Sequence, residues 1–340
     1  MNDAANSGVR TLSRALDALR DGRLDAADEL SRTFLQSSPR DPAAHQLAAT
    51  IALQRGQFAE AESSARECLE LRPNHAPAMM IAGQAARQLD NLTGAKDWFR
   101  RLREVSPDAP EPLFQLCAVQ TETGDPEGDA SLDTLVQRFP QHANGWRDVG
   151  AAFMRGKRFA EAEAAFRRAA SASEDPAHRV NLGRAILAQG RAAEAIAPLR
   201  QALAAAPDRV ETLLPLAQAL RQTGAPREAL KHLRHLAEAQ PNNGAVFFAL
   251  GLVCDDLRDR QGAVAAYQRC VALQPNTPEA QVNLGAALQQ IGEFDGAMQC
   301  YRQAMRLRPD TFGRIAQALP STQRGALWLD LRRLRRSLVA

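Results

Sequence analysis

Residues 278–311 read PEAQVNLGAALQQIGEFDGAMQCYRQAMRLRPDT, a 34-residue stretch of which the chain holds relatives almost back to its N-terminus. Val282, Leu284, Leu288 and Ile291 mark a first amphipathic helix, with Gly285 where a neighbouring helix must come close. Gly292 ends that helix, because a residue without a Cβ turns readily into the left-handed conformation. Phe294, Ala297, Met298, Tyr301, Ala304, Met305 and Leu307, spaced by three and four, mark a second helix. Pro309 cannot continue it. A helix–turn–helix brick of this size cannot bury its apolar faces alone, so it needs neighbours of its own kind.

Those neighbours are legible as recurring small residues and punctuation. Ala15, Ala49, Gly83, Cys117, Gly150, Gly183, Ala217, Gly251 and Gly285 stand at the eighth place of successive units. Ala27, Ala61, Ala95, Ala162, Ala195, Ala229, Ala263 and Ala297 stand at the twentieth, with only the fourth unit breaking the series. Small side chains at both places let the two helices of a hairpin approach closely. Glycines recur mid-unit, and prolines close most units. The units run 8–41, 42–75, 76–109, 110–142, 143–175, 176–209, 210–243, 244–277 and 278–311. In the fourth, Gly124-Asp-Pro-Glu-Gly-Asp lengthens the turn, Ala130 falls one place late and Pro140 arrives one place early. Pro198 and Pro215 fall inside helices and predict local kinks.

This pattern resembles the tetratricopeptide repeat family, whose period is about 34 residues. Trp146, Val149, Gly150, Phe153, Ala162, Phe166 and Ala169 carry the likeness, as does NLG at 181–183 and again at 283–285. The resemblance implies an all-α fold: a right-handed superhelical solenoid of about nine helix–turn–helix repeats, with a concave groove that holds a peptide or partner protein. It further implies that the groove wall comes from the first helix of each unit, at places two, five, six, nine, twelve and thirteen. Gln84, Arg87, Arg147, Arg155, Asn181, Arg184, Gln218, Arg221 and Phe248 occupy such places, and Asp255 and Asp256 follow. Guanidinium forks and amides suit carboxylates and peptide backbone. The expected occupant is therefore an extended segment with acidic groups near units five to seven. One subset of the family clamps a C-terminal carboxylate, and Asn181, Arg184 and Arg221 resemble that clamp only loosely, since its lysines are missing.

Composition agrees with stacked helices. Hydrophobic residues make up 45% of the chain but aromatics only 5%, so the core is expected to be Ala and Leu at short range. The formal charge is +3, yet residues 312–340 hold six arginines against one aspartate, so the basic character belongs to the tail. There, Leu327, Leu331, Leu334 and Leu338 form one stripe with arginines opposite. That reads as an amphipathic helix capping the end of the array. A basic amphipathic helix also suits a membrane surface, nucleic acid or a partner helix. Residues 1–7 are polar and expected to be disordered. They have no apolar leader, and no stretch is long and apolar enough to span a membrane, so a cytoplasmic protein is expected.

The sequence presents no catalytic constellation, cofactor motif or metal-ligand set. Gly150–Lys157 has five residues between its glycines and Arg158 where a phosphate loop needs Ser or Thr. His232 and His235 lack a third ligand. Cys254, Asp255, Asp256 and Asp259 read as a solvent-facing helix end, and the five cysteines as compact core residues. The expected role is a non-catalytic scaffold or adaptor binding a protein or peptide. The alternative is a substrate-recruiting subunit or truncated N-terminal part of a transferase-type enzyme, glycosyl- or sulfotransferase-like, with catalysis elsewhere.

Overall fold

The computed structural model describes residues 2–207 and 209–319, with Arg335 and Leu338. Among the described residues every regular element is helical. They form two compact bodies, Met1–Glu174 and Asp175–Ala340. The first holds five helix pairs: α1 (Asn2–Arg20) with α2 (Leu24–Ser37), α3 (Pro42–Gln54) with α4 (Phe58–Leu71), α5 (Ala76–Gln88) with α6 (Leu92–Val105), α7 (Pro110–Thr123) with α8 (Glu127–Arg138), and α9 (Ala143–Arg155) with α10 (Phe159–Ala172). The second holds four: α11 (Pro176–Ala188) with α12 (Ala192–Ala205), α13 (Val210–Gln222) with α14 (Pro226–Ala239), α15 (Gly244–Asp256) with α16 (Arg260–Leu273), and α17 (Pro278–Ile291) with α18 (Phe294–Leu307). A short 3-10 turn (Pro309–Thr311) and α19 (Phe312–Ala318) follow. Within each body the pairs stack in chain order, which is the architecture of an all-α repeat solenoid. Residues 2–7, expected to be disordered, lie in α1.

Two local rules recur among the hairpins. Every turn between paired helices passes through one left-handed residue at place fifteen of its unit. Six of these are glycines, at 22, 56, 124, 190, 224 and 292; Asp90, Lys157 and Arg258 adopt the same conformation without being glycine. Behind Asp90 and Arg258 the second helix gains a side-chain cap, Asn91 accepting from the Gly94 amide and Asp259 from that of Gly262.

The second rule is a volume exchange between places eight and twenty-four. Gly83 faces Phe99, Gly150 faces Phe166, Gly183 faces Leu199, Gly251 faces Tyr267 and Gly285 faces Tyr301. A Cβ on Gly183 would lie 2.5 Å from Leu199 Cγ, and one on Gly285 2.5 Å from a Tyr301 ring carbon, so the missing side chain is what admits the large one. Where Ala15 and Ala49 fill place eight, Ser31 and Ala65 fill place twenty-four. The two tyrosines keep their hydroxyls satisfied across the hairpin, Tyr267 donating to Asp255 at 2.7 Å and Tyr301 to Gln289 at 3.1 Å.

The fourth unit departs from the pattern in a way the sequence reading misplaced. Ala130 is exposed; the small residue turned inward is Gly128, whose carbonyl accepts from the Cys117 thiol at 3.8 Å. The register is therefore one place early, not one late; at the turn before it the Asp125 carboxylate accepts from the Glu127 amide at 3.0 Å. Besides its hairpin partner α10, α9 packs on α7, whose residues 112–121 are all buried. Phe114 stacks on His142 at 4.9 Å and meets Trp146 edge-on at 5.4 Å.

At the far end, Leu338 is buried in the cluster that holds Tyr301, Ile315 and Leu319. Apart from Arg335, the rest of the capping helix expected from Ser321 onward lies outside the described residues.

Candidate partner-binding faces

All nine residues expected on the groove wall lie on first helices: Gln84 and Arg87 on α5, Arg147 and Arg155 on α9, Asn181 and Arg184 on α11, Gln218 and Arg221 on α13, Phe248 on α15. The first four belong to the first body and the other five to the second.

In the first body the arginines are already engaged. Arg87 donates to Glu122 at 2.5 Å and to Gln115 Oε1 at 3.2 Å. Arg155 reaches the same Glu122 carboxylate with Nε at 2.8 Å. Gln115 passes its own amide to Asp148 at 2.8 Å, and Arg147 closes on Asp148 at 2.9 Å. Burial pushes the Glu122 carboxyl up, but hydrogen bonds and charge from Arg87 and Arg155 outweigh it, leaving the pKa below the usual glutamate value. Glu122, Gln115 and Asp148 were missed, although they occupy places thirteen, six and six of their units. Applying the place rule to the irregular fourth unit would have found the first two.

The second body is different. Four of its expected residues, Arg184, Gln218, Arg221 and Phe248, converge on a cleft of about 580 Å³ lined by α11, α13, α14 and α15. Asn181 is half-buried and not part of that lining. Leu187, Leu214, Pro215 and Leu252 line the cleft as well, so its wall is more apolar than the sequence reading expected. Phe248 is held from behind by Tyr267, ring centroids 6.0 Å apart. Pro215 has no N–H, which leaves the Glu211 carbonyl without its intrahelical donor. Arg184 Nη2 supplies one from the neighbouring helix at 3.3 Å, fixing the guanidinium at the cleft edge while the residue stays exposed. Arg221 is half-buried and pairs with Asp256 at 3.2 Å. Burial pushes the Asp255 carboxyl up, and the Tyr267 hydroxyl offsets part of that rise.

Among the described residues no group of three or more His, Cys, Asp or Glu could hold a metal ion, and no helix is long and apolar enough to cross a membrane. In the Gly150–Lys157 stretch, residues to Arg155 belong to α9, and Lys157 forms the hairpin turn.

Models of the tetratricopeptide repeat match residues 12–110 in two overlapping copies, 127–176, 187–250, 245–277 and 278–311. The chain belongs to the tetratricopeptide repeat family. No curated protein matches it in sequence. Among solved structures, it is similar to a chain of the APC/C hetero-tetramer Cut9-Hcn1, at 14% identity and a TM-score of 0.50, covering 96% of this chain and 92% of that one. MamA residues 41-end from Desulfovibrio magneticus RS-1 align at 20% identity and a TM-score of 0.45, covering 49% of this chain and 96% of that one. A second MamA structure, MSR-1 C2, aligns at 24% identity and a TM-score of 0.42, covering 50% and 98%.

Proposed function

We propose that this protein is a non-catalytic interaction scaffold that binds an extended segment of a partner protein on the faces of its first helices. The observation that carries the reading is the convergence of Arg184, Gln218, Arg221 and Phe248 on one cleft of the second body. Three successive first helices contribute to it at the places the repeat assigns to a binding wall. Membership of a repeat family of stacked helix pairs supports the same reading, because such stacks present extended surfaces. The first-body arginines support it less, since Glu122 and Asp148 already compensate them.

The test is affinity capture with the full chain, followed by chemical crosslinking to map the contact. The scaffold reading expects crosslinks from partners to α11, α13 and α15, and a changed partner set when Arg184→Glu and Gln218→Glu are combined. An unchanged partner set, with crosslinks only to second helices, would contradict it.

A further inference from the structure

Resting on that reading, we propose that the cleft between α11, α13 and α15 takes one apolar side chain of an extended partner segment, with a neighbouring Asp or Glu of the same segment on Arg184. Leu187, Leu214, Phe248 and Leu252 give the cleft an apolar wall, and its volume of about 580 Å³ leaves ample room for an apolar side chain with part of its own backbone. Removing an apolar side chain from water supplies the affinity; one charge-assisted hydrogen bond sets the direction.

The cleft is also built before anything binds. Phe248 rests on Tyr267, whose hydroxyl is tied to Asp255 at 2.7 Å, so this wall has little freedom to lose. Arg184 is held in place by the carbonyl that Pro215 leaves without a helical donor. Two guanidiniums border the cleft, but among the described residues only one is compensated by a carboxylate, because Asp256 takes Arg221. The rim therefore carries one uncompensated positive charge, and a carboxylate beside the apolar residue is the complementary group. A basic segment meets like charge there. The chain's own tail, with six arginines against one aspartate over residues 312–340, is a poor occupant for that reason.

The experiment is selection of a random peptide library on the immobilised full chain, with synthetic copies of enriched peptides then measured by fluorescence polarisation. The inference expects Leu, Phe, Ile or Met enriched beside Asp or Glu. Ala188→Trp, at an exposed position lining the cleft, should weaken those peptides tenfold or more. Gln201→Trp, equally exposed on α12 and outside the lining, should leave them unchanged. Arg184→Glu should turn the enriched charge from acidic to basic. This variant keeps the experiment decisive if circular dichroism shows that Ala188→Trp does not fold. Enriched peptides that ignore both variants would overturn the inference while leaving the scaffold reading standing at another face. No enrichment on the wild-type chain would overturn both. Self-association abolished by Ala188→Trp would assign the cleft to a second copy and overturn the proposed occupant.

Discussion

Arg87 and Arg155 around α7 and Arg184 beside α13 all stand at places expected on the groove wall, twelve and thirteen against nine, yet they behave in opposite ways. Arg87 and Arg155 are spent on Glu122, a carboxylate whose side chain is only 8% exposed. Arg184 donates to a backbone carbonyl, has no carboxylate partner among the described residues, and borders an apolar cleft. The difference teaches that a place in a repeat assigns a side chain to a face, whereas its neighbours in adjacent units decide whether it is available. The first cluster is structural cement for an irregular unit; the second is a surface with something left to bind.

The largest expected effect tests the cement. Glu122→Gln leaves two guanidiniums facing each other without their carboxylate, and breaking a buried pair from one side costs on the order of 3 kcal/mol. Arg184→Ala, at an exposed position, should cost less than about 1 kcal/mol. Urea titrations of the two variants measure the contrast, and equal losses would erase it.

The packing rule common to both bodies should give the next largest effect. Gly150→Ala forces a Cβ to 2.7 Å from Phe166, and Gly183→Ala forces one to 2.5 Å from Leu199. Overpacking of this kind costs about 1–3 kcal/mol. Calorimetric melting should show both variants destabilised, the first body no less than the second.

Acid should separate the two regions by sign. The Glu122 pKa lies below its ordinary 4.5 in the folded chain, so its stabilisation is complete above that value. It is lost as pH falls through the folded pKa. Asp255 lies above its ordinary 3.8. Its contribution is greatest below 3.8 and is lost as pH rises through the folded pKa. Glu122→Gln should flatten the acid-side fall in the urea midpoint, and Asp255→Asn should steepen it. Parallel profiles for the two variants would contradict the assignment.

The smallest effects sit in the turns. Lys157→Gly in the first body and Arg258→Gly in the second each remove a side chain from the left-handed conformation, at φ 57° and 59°. Each should gain about 1 kcal/mol, read as a higher melting temperature. The Arg258 gain should persist only while Asp259 still caps Gly262.

Much of this fold is legible in the sequence because its signals are local. Gly292, Ala297 and Pro309 act within their own unit, and each recurs often enough to set the period. The pairing of Gly285 with Tyr301 is equally local, sixteen residues apart on one hairpin. The fourth unit is harder, because a single residue lost from the turn at Asp125 moves Gly128, not Ala130, into the core. The candidate face is half legible. The place rule finds Arg184, Gln218, Arg221 and Phe248, but not that Glu122 reaches across to Arg87, 35 residues away. Nor does it show that Pro215 turns a defect of α13 into an anchor for Arg184. Both depend on side chains from different units meeting, which no single unit encodes.

Hydrogen–deuterium exchange on the full chain, with and without a peptide selected for binding, tests the division of labour most directly. The account predicts slowed exchange confined to α11, α13 and α15. Protection of α5, α7 and α9 instead, with the cleft helices unchanged, would contradict it.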